Sequence, residues 1–333
     1  MALINYSEAI NQALKEEMRR DERVVIWGED LIPLDGVYGQ TRGIYDEFGG
    51  KRIKDTPICE QAIAGMAIGA AQRGLRPIGV FMYAAFSLCA FDGVFLQLGC
   101  KGRDWPVVMY GVVTGPTWDN EHGMSPEALY IHAPYLKVVV PSTPYDAKGL
   151  FKTAIRDDGT VVFLDHAFCY FRGHEDGEIK STRDAVTQEV PEEEYLIPFG
   201  KADIKREGAD VTLVTYSFMV HLALAAAYNL AKEGISVEVV DLRTLVPLDV
   251  EAIVKSAKKT GRLLIVHEAM KRGGAAGEIL WRVVEDAPEL ITSLKVPFRR
   301  LAAKNLPIGY SYSSNLAPSE ETITATVKEM VRG

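Results

Sequence analysis

The sequence predicts an α/β protein of two domains, each a mainly parallel sheet flanked by helices. Short β-branched runs alternate with helical patterns along the chain, as expected of parallel strands joined by crossover helices. The alternation breaks once, at a charged, strand-poor stretch from about Glu175 to Glu194, and then resumes. At 333 residues the chain is long enough for two cores. The expected division is a first domain at 1–185, a linker at 186–200 and a second domain at 201–333.

The opening text MALINYSEAINQAL reads directly into an amphipathic helix. Strands are expected at Val24–Trp27, Pro77–Phe81, Val107–Val113, Lys137–Pro141 and Val161–Leu164. A helix lies in DTPICEQAIAGMAIGAAQRG (Asp55–Gly74), where Thr56 suits the N-cap and Pro57 the first helical position. A second helix is expected from about Ser87 to Cys100. A third runs from Tyr145 to Arg156, started by Pro144 and with Asp146 in its first turn. In the second block the strands are Val211–Tyr216, Val237–Asp241, Leu263–Glu268 and Val296–Leu301, and the helix in VHLALAAAYNLAKEG closes on Gly234 as C-cap.

Hydrophobic content of 47% and charged content of 25% are those of a globular protein. The net charge of −8 offers no basic stripe to phosphates, so no nucleic-acid partner is expected. Cys59, Cys89, Cys100 and Cys169 show neither CxxC pairing nor metal spacing, which suits a reducing compartment. No basic leader precedes an apolar run, and no stretch reaches the ~18 apolar residues of a membrane span. The expectation is a soluble cytoplasmic protein with no membrane partner.

The Asp55–Gly74 helix carries the sharpest signal. One acid, Glu60, sits in the first turn of a helix built from Ala62, Ala64, Gly65, Ala67, Gly69, Ala70 and Ala71. Each helical glycine costs about 1 kcal/mol relative to alanine, so their use points to close packing or a ligand. The plainer reading is a buried Ala/Gly-rich helix with a charge at its favourable dipole end.

The surrounding text separates the two readings. DTPICEQAIAGMAIGAAQRGLRPI, LKVVVPSTPYDAKGLFKTAIRD, VEVVDLRTLVPLD and GRLLIVHEA occur in this order, and the similarity runs from INYSEAINQALKEEMRRDERVVIWGED to the C-terminal helix. This text resembles the beta subunit of the 2-oxo acid dehydrogenase first component, of the pyruvate, branched-chain and acetoin type. The resemblance implies a thiamine-diphosphate pyrimidine-binding domain followed by a transketolase C-terminal-like domain. It implies that Glu60 hydrogen-bonds a ring nitrogen of the cofactor's aminopyrimidine, favouring the imino form that takes the proton from the thiazolium carbon. A carboxyl buried there is expected to have a raised pKa. Met82, Phe86 and Cys89 would line the pyrimidine pocket, although Met and Phe at a strand end also suit a core. His122, in TGPTWDNEHGMSPEALYIH, would be the histidine near the reacting centre, orienting the substrate carboxylate or handling protons. His132 is read as structural. The turn TAIRDDGT resembles the family's structural K⁺ site, with Ala154, Ile155, Asp157 and Gly159 contributing and Val107 from the neighbouring strand. His267, Glu268 and Arg243 are read as structural or interface residues.

No GDG motif, GxGxxG or P-loop occurs in the sequence. A separate alpha subunit is therefore expected to hold Mg²⁺ and the diphosphate, with the active site shared in a two-plus-two heterotetramer. The text departs from the family's at AAFSLCAFDGVFLQLGCK, where Cys89 stands in place of a common Gln and Gly93 in place of the Gln after Asp92. It departs again at KGRDWPVV and at TGPTWDNE before His122. The function implied is decarboxylation of a pyruvate-like 2-oxo acid, with acyl transfer to lipoamide on a lipoyl-bearing acyltransferase. A split transketolase-like or acyloin-forming enzyme and a non-catalytic assembly subunit are the alternatives.

Overall fold

The computed structural model of the chain describes residues 1–101, 104–115, 122–306 and 316–333. The altered text at KGRDWPVV (in part) and most of TGPTWDNE lie outside the described residues. The chain runs β1 (Ala2–Asn5), α1 (Tyr6–Arg20), β2 (Val24–Gly28), α2 (Ile44–Phe48), β3 (Ile53–Asp55), α3 (Glu60–Gln72) and β4 (Arg76–Tyr83). A 3₁₀ helix (Ala84–Ala90) and a π-helix (Asp92–Lys101) lead to β5 (Val108–Val113), α4 (Glu127–Ile131), β6 (Leu136–Val139), α5 (Pro144–Arg156) and β7 (Thr160–His166). Small elements follow: β8 (Gly173–Glu175), β9 (Glu178–Lys180), α6 (Arg183–Val186) and β10 (Thr187–Val190). The second block holds β11 (Asp203–Arg206), β12 (Val211–Thr215), α7 (Met219–Lys232), β13 (Val237–Asp241), β14 (Thr244–Val246), α8 (Val250–Thr260), β15 (Leu263–Met270), α9 (Ala276–Asp286), α10 (Leu290–Ser293), β16 (Arg299–Ala303) and α11 (Glu320–Arg332).

The fold class is as expected. Seven strands pair in the order β14-β6-β7-β5-β4-β2-β3, all parallel except β14, and five pair as β11-β13-β12-β15-β16, all parallel except β11. Central strands such as β2, β5, β7, β12 and β13 are buried along their whole length, which is why they read as unbroken β-branched runs.

Four local expectations are corrected. Residues 2–5 form β1 before the first helix begins, and β1 pairs antiparallel with β10 inside the stretch read as strand-poor. That strand's alternation is too short and too charged to stand out in sequence. The Glu60 helix starts at Glu60 and not at Thr56–Pro57: Cys59 is its N-cap, without a side-chain bond. The Thr56 amide instead donates to the Gly28 carbonyl at 2.9 Å, extending the β2–β3 pairing. The single helix expected at Ser87–Cys100 is two, bent by 79°. Both glycines of the second piece are clamped by neighbours: a Cβ on Gly93 would lie 2.9 Å from Ala64 Cβ, and one on Gly99 2.8 Å from Ala133 Cβ. Finally, β14 belongs by sequence to the second block but forms the edge of the first sheet, against β6.

The two halves are further joined by buried charge. Asp146 of α5 is fully buried and meets Arg243 at 2.6 Å and Lys205 at 2.5 Å, both from the second block. Asp203 closes the group at 2.8 Å from Lys205 and 3.0 Å from Arg243. Arg243, read from sequence as a structural or interface residue, is part of this buried network. Asp146→Ala would remove the buried carboxylate shared by Lys205 and Arg243, leaving them to Asp203 and, for Lys205, to Asp241 at 3.6 Å, and breaking such a network costs about 3–5 kcal/mol. Urea unfolding is expected to show a loss of that order; a loss below about 1 kcal/mol would contradict it.

Candidate active site

Parallel register brings several strand ends to one edge of the seven-stranded sheet, the edge where open α/β sheets place ligands. Gly28 of β2 sits opposite Val80 of β4, so Glu29 emerges beside Phe81 and Met82. Any side chain at Gly28 is excluded, because its Cβ would come within 2.2 Å of the Val80 carbonyl oxygen. Asp55, at the end of β3, receives the Leu31 amide at 2.7 Å and fixes the chain leaving β2.

Helix α3 is seated on this sheet by its small residues. Ile63, Ala64, Ala67 and Ala71 face inward, and Trp27 Nε1 of β2 donates to the Ile63 carbonyl at 3.2 Å. Glu60 therefore stands half-buried at the helix N-terminus, where the dipole favours a carboxylate. The outer face is the other small stripe: Ala62, Gly65 and Gly69 are exposed, and a Cβ on either glycine would meet nothing within 4 Å.

Glu29 was not anticipated from sequence. It is 3% exposed, and burial together with the nearby charge of Glu60 pushes its carboxyl up to about 7, against the opposing pull of the Met82 backbone. Its only sequence signal is an acid directly after a buried strand, in VVIWGED, which looks like an ordinary turn.

Met82 is the last but one residue of β4 and Phe86 follows in the 3₁₀ helix, both half-buried, and His122 follows β5. The His122 ring packs edge-on against Tyr83 (centroids 4.6 Å apart) and Phe86 (5.1 Å), and Tyr83 meets Phe86 at 5.8 Å. Thr114 Oγ1 donates to the His122 carbonyl and holds the loop's return. Phe86 and His122 are thus brought together, and Tyr83 is a third member that sequence reasoning missed, although it adjoins Met82. Cys89 lies three residues past Phe86 and is exposed. His132 caps α4 and is exposed, apart from this cluster.

Behind the His122 loop, Glu268 of β15 accepts from Ser125 at 3.2 Å and pairs with His166 of β7 at 2.9 Å. The Phe168 amide donates to His166 Nδ1, so Nε2 carries the proton toward Glu268. Glu127 accepts from Tyr216 at 2.7 Å, and burial raises its pKa to about 7. A cavity of about 180 Å³ opens here, lined by Gly123, Ser125, Leu129, Glu268, Met270 and Arg272. Glu268 thus supports the loop that carries His122.

At the turn following α5, Arg76 donates to the Ile155 carbonyl at 2.9 Å and the Asp157 carbonyl at 2.5 Å. Asp157 Oδ1 accepts from Lys137 at 2.6 Å and from the Gly159 amide at 2.7 Å, and the Val107 carbonyl accepts from Val161. Two carbonyls of the expected K⁺ turn thus already face a guanidinium.

Comparison with known proteins places this geometry. The transketolase pyrimidine binding domain matches residues 2–167, and the transketolase C-terminal domain matches residues 200–322. The 2-oxoisovalerate dehydrogenase subunit beta of Bacillus subtilis (strain 168) is 42% identical over 316 residues, covering 92% of this chain and 91% of that protein. The pyruvate dehydrogenase E1 component subunit beta of the same strain is 40% identical over 339 residues, covering 99% of both. The chain belongs to this family of 2-oxo acid dehydrogenase beta subunits. A solved chain described as a split gene transketolase, inactive beta4 tetramer, shares the fold at TM-score 0.78 and 23% identity, over 99% of each chain.

The carboxyl pair of this beta subunit leaves a mark on stability. Folded Glu29 keeps its proton to about pH 7, whereas an unfolded glutamate releases it near 4.3. Its contribution to stability is therefore full below the unfolded value and is lost as pH climbs through 7. Glu29→Gln is expected to flatten the dependence of melting temperature on pH across that interval; an unchanged slope would count against the assignment.

Proposed function

We propose that this chain is the beta half of a thiamine-diphosphate-dependent 2-oxo acid dehydrogenase, acting on a pyruvate-like 2-oxo acid. One observation carries the reading: the two carboxyls of Glu60 and Glu29 stand at the sheet edge that also presents Met82 and the Phe86–His122 pair. The residues fit the cofactor, since Glu60 is half-buried beside Glu29, a buried acid whose Oε1 has no hydrogen-bond partner among the described residues. When bound, thiamine diphosphate supplies the nucleophilic carbon and the electron sink for decarboxylation. Glu60 would hold the aminopyrimidine ring nitrogen and share a proton with it, as general acid and base. Met82, Phe86 and Tyr83 supply an apolar face that keeps water from the ring, with Cys89 at its outer rim. His122, braced between two aromatic rings, is placed to orient the substrate carboxylate.

Mg²⁺ and the diphosphate fall to a separate alpha subunit in this reading, because the sequence lacks a GDG motif and any phosphate loop. The exposed Ala62–Gly65–Gly69 stripe suits close contact with that subunit in a two-plus-two heterotetramer. The acyl group would pass to the lipoyl group of an acyltransferase. The four free cysteines suit a cytoplasmic setting. A K⁺ at the Thr153–Thr160 turn would use the lone pairs left on the Val107, Ala154 and Asp157 carbonyls, with Ile155 and Gly159 shaping the turn, in a structural role beside Arg76.

The test is CO₂ release from a panel of 2-oxo acids, by the chain alone and with its alpha subunit, with thiamine diphosphate and Mg²⁺ present. Activity is expected only in the pair, and activity in the lone chain would overturn the shared site. Glu60→Gln should lower the rate at least about 100-fold with an unchanged circular dichroism spectrum. Activity near wild type in that variant would reject the role of Glu60. Lipoamide dependence separates this reading from an acyloin-forming one.

A further inference from the structure

Strand β4 carries one extra residue near its end. Phe81 lies opposite Gly111 of β5, but Tyr83 lies opposite Val112, so Met82 is a bulge in the ladder. Slipping a strand by one residue turns the residues beyond the slip to the other face of the sheet. Val80 and Tyr110 pack in the core that α1 covers, and Phe81 packs in the core that α3 covers. By plain alternation Tyr83 would follow Phe81 to the α3 side. The bulge turns it to the side of Val80 and Tyr110 instead.

Tyr38, from the segment between β2 and α2, stands on that side. Its ring stacks on Tyr170, with centroids 4.6 Å apart and planes 20° apart, and Tyr170 packs edge-on against Tyr6 at 5.0 Å. Both backbone polar groups of Tyr38 are tied as well. Its amide donates to Gln40 Oε1 at 2.8 Å, and its carbonyl accepts from Ser7 Oγ at 2.6 Å. The Tyr38 hydroxyl is buried and faces Tyr83. Tyr83 in turn meets the His122 ring at 4.6 Å, with the planes 80° apart. An anchored ring, a re-aimed ring and the imidazole thus follow one another.

We infer that Tyr83 is a positioning residue, which fixes the His122 imidazole for the carboxylate of the 2-oxo acid, with Tyr38 as the stop behind it. The inference deepens the function proposed above and rests on it. Tyr83 acts through the imidazole and has no chemical step of its own. The contact it offers is made by the ring, in the edge-to-face arrangement that aromatic pairs favour. Phe86 closes the group from the 3₁₀ helix, at 5.1 Å from His122 and 5.8 Å from Tyr83. Without Tyr83, Phe86 would be the one ring of this group left against the imidazole.

The test is a double-mutant cycle in the complex with its alpha subunit, read as kcat/KM on the preferred 2-oxo acid. Tyr83→Leu is expected to lower kcat/KM at least about 10-fold, since a misplacement of about 1 Å can cost on the order of 100-fold. Tyr83→Phe keeps the ring and should behave as wild type. In the His122→Ala background Tyr83→Leu should cost nothing further, because its effect passes through the histidine. An equal loss in both backgrounds, or a loss in Tyr83→Phe matching that in Tyr83→Leu, would overturn the proposal. A second readout needs no turnover: the His122 resonance in the complex labelled with ¹³C-histidine, assigned by its loss in His122→Ala. Tyr38→Leu leaves Tyr83 and His122 intact, so their resonance is expected to move only if Tyr38 holds them in place. An unmoved resonance would overturn the stop. Failure of the wild-type complex to decarboxylate any 2-oxo acid would sink the function and leave this resonance test standing.

Discussion

The candidate site depends above all on the parallel register of β2, β4 and β5. Once Ile26 lies opposite Ile78, and Ile78 opposite Val108, the residues leaving these strands emerge along one line. Glu29, Met82 and the loop to His122 are then neighbours without any contact among them being needed to place them. Backbone hydrogen bonds are strong and numerous, so this placement is far stiffer than a side-chain scaffold. Helix α3 adds Glu60 to the same line, and the close seating of Ala64 against Gly93 and of Trp27 against Ile63 sets its height above the sheet.

The second block of the chain meets the first sheet by two routes. Strand β14 pairs with β6 at the end of the first sheet farthest from β3, and Glu268 of β15 reaches across to His166 and Ser125. Both contacts carry charge or backbone pairing into a dry interior, where an unmatched partner is costly. The halves therefore behave as one support for the His122 loop. Glu268, read from sequence as a structural or interface residue, holds that loop in place at one remove from its histidine.

Much of this was legible. The β-branched runs gave the main strands to within a few residues, because strands buried on both faces need no alternation to be seen. Pro144 and Asp146 marked the start of α5, where Thr143 caps the helix and Pro144 fills its first position. Glu60 stood out because a lone acid in a small-residue helix is unusual. The unread parts share a cause: their meaning lies in distant residues. Glu29 resembles a turn acid until β4 is placed beside it. The three residues of β14 are too few to signal a strand, and its partner lies more than a hundred positions away. The close fit of Gly93 against Ala64 and of Gly99 against Ala133 depends on distant residues, which no local propensity reveals.

The bare outer face of α3 has a last consequence. Gly65 and Gly69 adopt helical backbone with open space where a methyl group would go. Each forgoes about 1 kcal/mol that alanine would return. Alanine at both places would serve a solitary chain better, by an amount comparable to a good fraction of a domain's net stability. The sequence keeps the weaker choice. What the two glycines preserve is therefore flatness, and the free subunit is the form that goes without its optimum.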